Sequence, residues 1–147
     1  MIKRIIWVIL VVVCLTLICF VIAQAETNGT VGNLSWVLND DGILTISGTG
    51  PMINEYTEES RWYSDSNLVE VIIEDGVTSV GNYAFEACPN LSSVVLPDTV
   101  TTIGEGAFSQ CTKLTDITLP AGLTQIGNYA FYRCAELTEI TLPDNLR

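Results

Sequence analysis

Residues 100–122 read VTTIGEGAFSQCTKLTDITLPAG, and the same pattern stands on both sides: 77–99 read VTSVGNYAFEACPNLSSVVLPDT and 123–145 read LTQIGNYAFYRCAELTEITLPDN. Eight of the 23 columns are identical in all three units: Thr78/Thr101/Thr124, Gly81/Gly104/Gly127, Ala84/Ala107/Ala130, Phe85/Phe108/Phe131, Cys88/Cys111/Cys134, Leu91/Leu114/Leu137, Leu96/Leu119/Leu142 and Pro97/Pro120/Pro143. Upstream, residues 67–76 (NLVEVIIEDG) repeat the second half of the unit, with Leu68 over Leu91 and Val71 over Val94, while 146–147 open a further unit. A unit this short cannot bury its own apolar face. Stacking copies gives every column the same column above and below it, which is the logic of a solenoid.

Within each unit, Leu91-x-x-Val94-x-Leu96 and its copies alternate in the manner of a strand, placing a strand at 137–142 in the last unit. Pro97, Pro120 and Pro143 end each strand at a corner, because proline has no amide to give to a ladder. The column Gly81/Gly104/Gly127 predicts a second corner leading into a short helical or 3₁₀ turn, where the small Ala column allows close approach. Phe85, Phe108 and Phe131 then fill the interior as a spine. The expected fold is mainly β: a short solenoid with one parallel strand and one short turn per coil.

Residues 26–66 precede the array. Leu34, Trp36 and Leu38 alternate with other residues, Asn39-Asp40-Asp41-Gly42 is a strong turn, and Leu44 and Ile46 resume the alternation. This predicts a β-hairpin that caps the first coil. Residues 51–66 show no sustained period, and Trp62 and Tyr63 are expected to anchor them. At the other end, Asp144-Asn145-Leu146-Arg147 supplies no polar cap, which predicts end-to-end self-association, a truncated gene product or marginal stability.

Composition divides the 147 residues in two. Residues 1–25 contain no acid, whereas residues 26–147 hold all 17 acids and only Arg61, Lys113, Arg133 and Arg147 as bases. Such a surface repels phosphate backbones and anionic lipid, excluding nucleic acid as a partner for this part. The absence of His excludes His-dependent triads and His metal sites. Lys3 and Arg4, the apolar run over 5–22 and Ala23-Gln24-Ala25 read as a secretory signal peptide cleaved before Glu26. The run is long enough that an uncleaved N-terminal anchor stays open, with membrane contact only through 5–22. Either reading places 26–147 outside the cytoplasm, secreted or at the cell surface.

Export favours disulfides, but Cys88, Cys111 and Cys134 are odd in number and stand one per coil. They read as small buried side chains, with a bond between adjacent coils left open. No C-x-x-C pair points to a metal, and no base stands ready to activate a nucleophile. The acid pairs Asp40-Asp41, Glu58-Glu59 and Glu74-Asp75 read as solvated surface. Nothing sets two carboxylates on opposite walls of a cleft, as a glycosidase requires. No cofactor, metal or catalytic residue is expected.

The residues that do suggest a function lie between the inward strand positions. They form two outward columns, Glu70/Ser93/Asp116/Glu139, largely acidic, and Ile72/Val95/Thr118/Thr141, largely β-branched. A rigid face with evenly spaced side chains suits an extended or repetitive partner, and ordinary sheet surface is the competing reading.

The motif Ile103-Gly104, Ala107-Phe108, Cys111, Leu114, Ile117 and Leu119-Pro120 resembles the repeat of the BspA-like leucine-rich repeat family, and the flanking units fit with Val80 and Val94 for Ile. The resemblance covers 67–147, and Trp36-x-Leu38, Asp40-Asp41-Gly42 and the run from Leu44 to Gly50 look like the segment that opens such arrays. It implies a non-enzymatic exported surface protein that adheres to an extracellular protein or glycan.

Overall fold

A computed structural model describes residues 27–53 and 62–147. The expected leader over 1–25 and the acid pair Glu58-Glu59 lie outside the described residues.

The elements in chain order are β1 (Thr27–Val31), β2 (Leu34–Leu38), β3 (Ile43–Gly48), β4 (Gly50–Pro51), β5 (Glu70–Ile73), β6 (Val77–Val80), β7 (Ser93–Val95), β8 (Thr102–Ile103), β9 (Asp116–Ile117) and β10 (Gln125–Ile126). They form two sheets, ordered β1-β2-β3-β5-β7-β9 and β10-β8-β6-β4. In the first sheet β1, β2 and β3 pair antiparallel, and β3 then pairs parallel with β5. The entry hairpin is therefore the first part of the six-stranded sheet. Its turn holds together locally, since Asn39 Oδ1 accepts the amides of Asp41 (3.0 Å) and Ile43 (2.9 Å).

Between the sheets the repeat columns stack as a continuous core. Val71 and Val94, Leu68, Leu91 and Leu114, and Val77, Val100 and Leu123 are all buried. The ring of Trp62 stacks on Phe85 with centroids 5.5 Å apart; Phe85 lies 5.5 Å from Phe108 and Phe108 lies 5.6 Å from Phe131. Trp36 meets the edge of Trp62 at 6.1 Å and starts the column. Hydroxyls reinforce the backbone ladder from outside: Thr101 Oγ1 donates to the Thr78 carbonyl (3.3 Å) and Thr124 Oγ1 to that of Thr101 (3.0 Å). That accounts for an invariant Thr at an exposed position.

The expected helical or 3₁₀ turn after the Gly corner is replaced by another structure; no described residue is helical. Alternate amides leave the coil altogether. Tyr83, Phe85 and Ala87 donate to the carbonyls of Glu105, Ala107 and Ser109 in the next coil, whereas Ala84 and Glu86 bond back to Gly81 and Tyr83. Two residues per coil take left-handed conformations: Tyr83 and Ala87, then Gly106 and Gln110, then Tyr129 and Arg133, with φ between 53° and 61°. A left-handed residue every fourth position prevents helix propagation, at a cost of order 1 kcal/mol for each non-Gly residue. The intercoil bonds offset that cost. The result is a third wall, held by a ladder like the sheets.

Gly104, its equivalent Gly127, and Gly106 are required by this stacking. A Cβ on Gly104 would lie 2.6 Å from the Asn82 nitrogen and 2.7 Å from the Gly81 carbonyl carbon, so the corner coils approach backbone to backbone. One on Gly106 would enter the ring of Tyr83, whose hydroxyl donates to the Glu105 carboxylate. Tyr83 thus fits a slot that the next coil leaves open. Tyr129 holds the same position one coil beyond Gly106 and is 69% exposed.

The expected strand at 137–142 is absent. Strands of the first sheet shorten from β5 to β7 to β9, and no backbone bond is present between residues 137–142 and β9. Leu137, Ile140 and Phe131 are only partly buried, in contrast to the same columns in the coils before. The last coil is held by its other walls: β10 pairs with β8, and the Gly106, Phe108 and Gln110 amides donate to Asn128, Ala130 and Tyr132.

Candidate interaction face

The two outward columns lie side by side on the first sheet. Glu70 pairs in register with Ser93 and Ser93 with Asp116, while Ile72 pairs with Val95. Glu70, Ile72 and Ser93 are half-buried, Val95 is 47% exposed, and Asp116, Thr118, Glu139 and Thr141 are exposed. The first three are shielded because strands flank them on both sides. Glu139 and Thr141 follow the column by repeat position and lie outside any hydrogen-bonded strand.

The hairpin lengthens this face in a way the repeat alignment does not reveal. Ile43 lies opposite Glu70, Thr45 opposite Ile72, and Val37 opposite Thr45. The β-branched row therefore runs Val37, Thr45, Ile72, Val95. The signal was present in the alternation of β2, which turns Ser35 and Val37 outward where Leu34 and Trp36 are buried. A shallow depression along Ile72, Val95 and Pro97 is rimmed by Glu74, Asp75 and Asp98. The face as a whole combines aliphatic contact area with negative charge.

The column Cys88, Cys111 and Cys134 serves the stack. All three are free thiols. Each Sγ donates to a backbone carbonyl of the preceding coil or entry loop: Cys88 to Trp62 (2.9 Å), Cys111 to Phe85 (3.0 Å) and Cys134 to Phe108 (3.1 Å). Burial pushes the Cys134 thiol up to about 11 and Cys88 up to about 12, with Cys111 higher still. A thiol held protonated is a poor nucleophile and a poor metal ligand. Asp40 and Asp41 are exposed turn residues beside the Asn39 cap. Among the described residues, no three His, Cys, Asp or Glu side chains converge as a metal site would require.

A family model for the BspA type leucine rich repeat region matches residues 56–147, in 6 copies. No curated protein matches the chain. Among solved structures, a leucine-rich repeat protein from Eubacterium ventriosum is similar at 31% identity and a TM-score of 0.68, over 84% of this chain and 39% of that one. The chain thus spans well under half of that relative. A leucine-rich repeat protein from Bacteroides capillosus shares the fold at 24% identity and a TM-score of 0.52, over 83% of this chain and 99% of that one. A leucine rich cell surface protein from Faecalibacterium prausnitzii superposes more loosely, at 22% identity and a TM-score of 0.44, over 80% of this chain and 55% of that one.

Proposed function

This chain belongs to the BspA-type leucine-rich repeat family, and from that premise we propose that it is an exported, non-enzymatic interaction module that binds an extracellular protein or glycan at the cell surface. The observation that carries this reading is the pair of adjacent columns on the first sheet, one acidic and one β-branched, set at strand spacing and extended by the hairpin. Aliphatic area at the centre with carboxylates around it favours a partner segment that is itself apolar and positively charged. The rows repeat that chemistry once per coil across one rigid face. The test is adherence of a folded Asp116→Lys/Glu139→Lys variant to a ligand that the wild-type chain holds. Loss of adherence with unchanged circular dichroism supports the reading; unchanged adherence moves the site off this face.

A specific observation favours a second reading, self-association through the last described coil. The amides of Gly106, Phe108 and Gln110 all have acceptors in the next coil, whereas those of Tyr129, Phe131 and Arg133 have none among the described residues. The same coil carries the half-covered Phe131 ring and Leu142, which is 58% exposed. Unmade amide bonds next to apolar surface form an edge that favours pairing. Sizing of residues 26–147 separates the two readings. A monomer at all concentrations ends the assembly reading, and a concentration-dependent oligomer abolished by Leu142→Lys supports it.

A further inference from the structure

The second sheet carries a groove on its outer side, well separated in chemistry from the acidic face. It runs across β6, β8 and β10 along the solenoid axis, with a volume of about 670 Å³, and Pro51 stands at its N-terminal end. One bank is the row Ser79, Thr102 and Gln125; the other is the row Asn82, Glu105 and Asn128. Gly104 and Gly127 line the groove between the two banks, and a Cβ on either would meet the backbone of the preceding coil. Ser79 pairs with Thr102 and Thr102 with Gln125, so the first bank places one polar side chain per coil. None of these three side chains has a hydrogen-bond partner among the described residues.

Charge restricts what this groove can take. Residues 26–147 hold 17 acids against four bases, yet Glu105 is the one charged residue lining the groove, and its carboxylate already accepts the Tyr83 hydroxyl. A cationic ligand finds better partners elsewhere on the molecule, and a polyanion finds no cation here. The remaining lining offers hydroxyl and amide groups, which donate and accept alike. Spacing narrows the ligand further. The rungs repeat at the separation of parallel strands, about 4.8 Å. An extended peptide lying along the axis advances roughly 3.3 Å per residue and returns to the same face every second residue, so it falls out of step with the rungs. An extended β-1,4-linked chain also turns over at each sugar, but its advance per sugar is close to one rung, so successive sugars stay in step with successive coils, each offering hydroxyls to a rung.

We propose that this groove is a binding site for an uncharged, extended β-1,4-linked chain of hexose or N-acetylhexosamine units, each rung contacting about one sugar. The site is on the opposite sheet from the proposed interaction face, so either can fail without the other.

The experiment is calorimetric titration of the purified full chain with cellohexaose, mannohexaose and chitohexaose, each alongside its disaccharide. At least one hexasaccharide binds, and it binds at least about tenfold more tightly than its disaccharide, because a longer chain engages more rungs. A Thr102→Val/Gln125→Leu variant lowers that affinity by at least about tenfold, equivalent to roughly 1.4 kcal/mol, while Asp116→Lys leaves it within about twofold. Three results overturn the proposal: no binding of any of the three hexasaccharides, equal affinity for dimer and hexamer, or wild-type affinity in the double variant. The length comparison needs no variant, so a misfolded mutant leaves the proposal exposed to refutation.

Discussion

Truncating the middle ring of the aromatic column should cost about twice as much as truncating the last one. Phe108 is fully buried and lies between two rings, 5.5 Å from Phe85 and 5.6 Å from Phe131. Phe131 has a ring on one side and is only partly buried. A fully buried Phe→Ala change costs about 3–5 kcal/mol, and each aromatic pair contributes roughly 1 kcal/mol of it beyond area. Phe108→Ala removes two such pairs and opens the core between coils, so about 4–5 kcal/mol is expected. Phe131→Ala removes one pair and less buried area, for about 2–3 kcal/mol. Because a domain of this size holds roughly 5–15 kcal/mol in total, both losses are large enough to read from urea unfolding of residues 26–147. The difference of about 2 kcal/mol exceeds the extrapolation error when the slopes stay equal. Equal costs for the two variants would refute the reasoning, since they would mean that the outer side of Phe131 is covered as completely as that of Phe108.

Other changes test the walls separately. Stability should fall as pH rises above about 9: the unfolded thiols titrate near 9.0, whereas Cys88 in the folded chain titrates at about 12, so the unfolded state alone releases protons in that window. Each fully buried thiol contributes a slope of up to about 1.4 kcal/mol per pH unit, and Cys111→Val should flatten the urea midpoint against pH relative to wild type; parallel curves contradict the assignment. Gly104→Ala should destabilise by about 3 kcal/mol through its backbone contacts, and Gly122→Ala, whose Cβ comes no nearer than 3.4 Å to the Asp98 carbonyl, should stay within about 0.5 kcal/mol in the same assay. Gly106→Ala should destabilise by roughly 2 kcal/mol and lose much of that penalty in a Tyr83→Ala background; strict additivity in the double-mutant cycle would show that the ring is not what the glycine accommodates.

Most of the architecture was legible because it is periodic. Identity at Phe85, Phe108 and Phe131, and at Cys88, Cys111 and Cys134, placed those side chains one per coil without reference to local propensity, and the structure puts them in continuous columns. The turn wall was not legible, because left-handed φ falls on Tyr, Ala, Gln and Arg, types that carry no signal for it. Those conformations accompany bonds between adjacent coils, which reach 22 residues along the chain for the Tyr83 amide. The strand β1 was missed for a related reason: Thr27-Asn-Gly-Thr-Val reads as a loop, and only pairing with β2 makes it extended. Expecting a strand at 137–142 failed in the opposite direction. Its alternation is as good as that of the other units, but strand structure requires a ladder, and that stretch has none. As for function, the outward columns followed from alternation alone, whereas the polar groove depends on how the second sheet and the Gly corners set Ser79, Thr102 and Gln125 opposite Asn82, Glu105 and Asn128, which spacing does not reveal.

The fit of Tyr83 into the space at Gly106 has a consequence for how such a gene can lengthen. Successive coils alternate between Asn-Tyr, Glu-Gly and Asn-Tyr at this position, a protrusion followed by a hollow. Duplicating a single Asn-Tyr unit in place would set one ring against the side chain of another, and duplicating the Glu-Gly unit would leave a hollow unfilled. Copying adjacent units as a pair keeps a ring facing a hollow at this position. At this position the structural repeat spans two coils, although the sequence period is one.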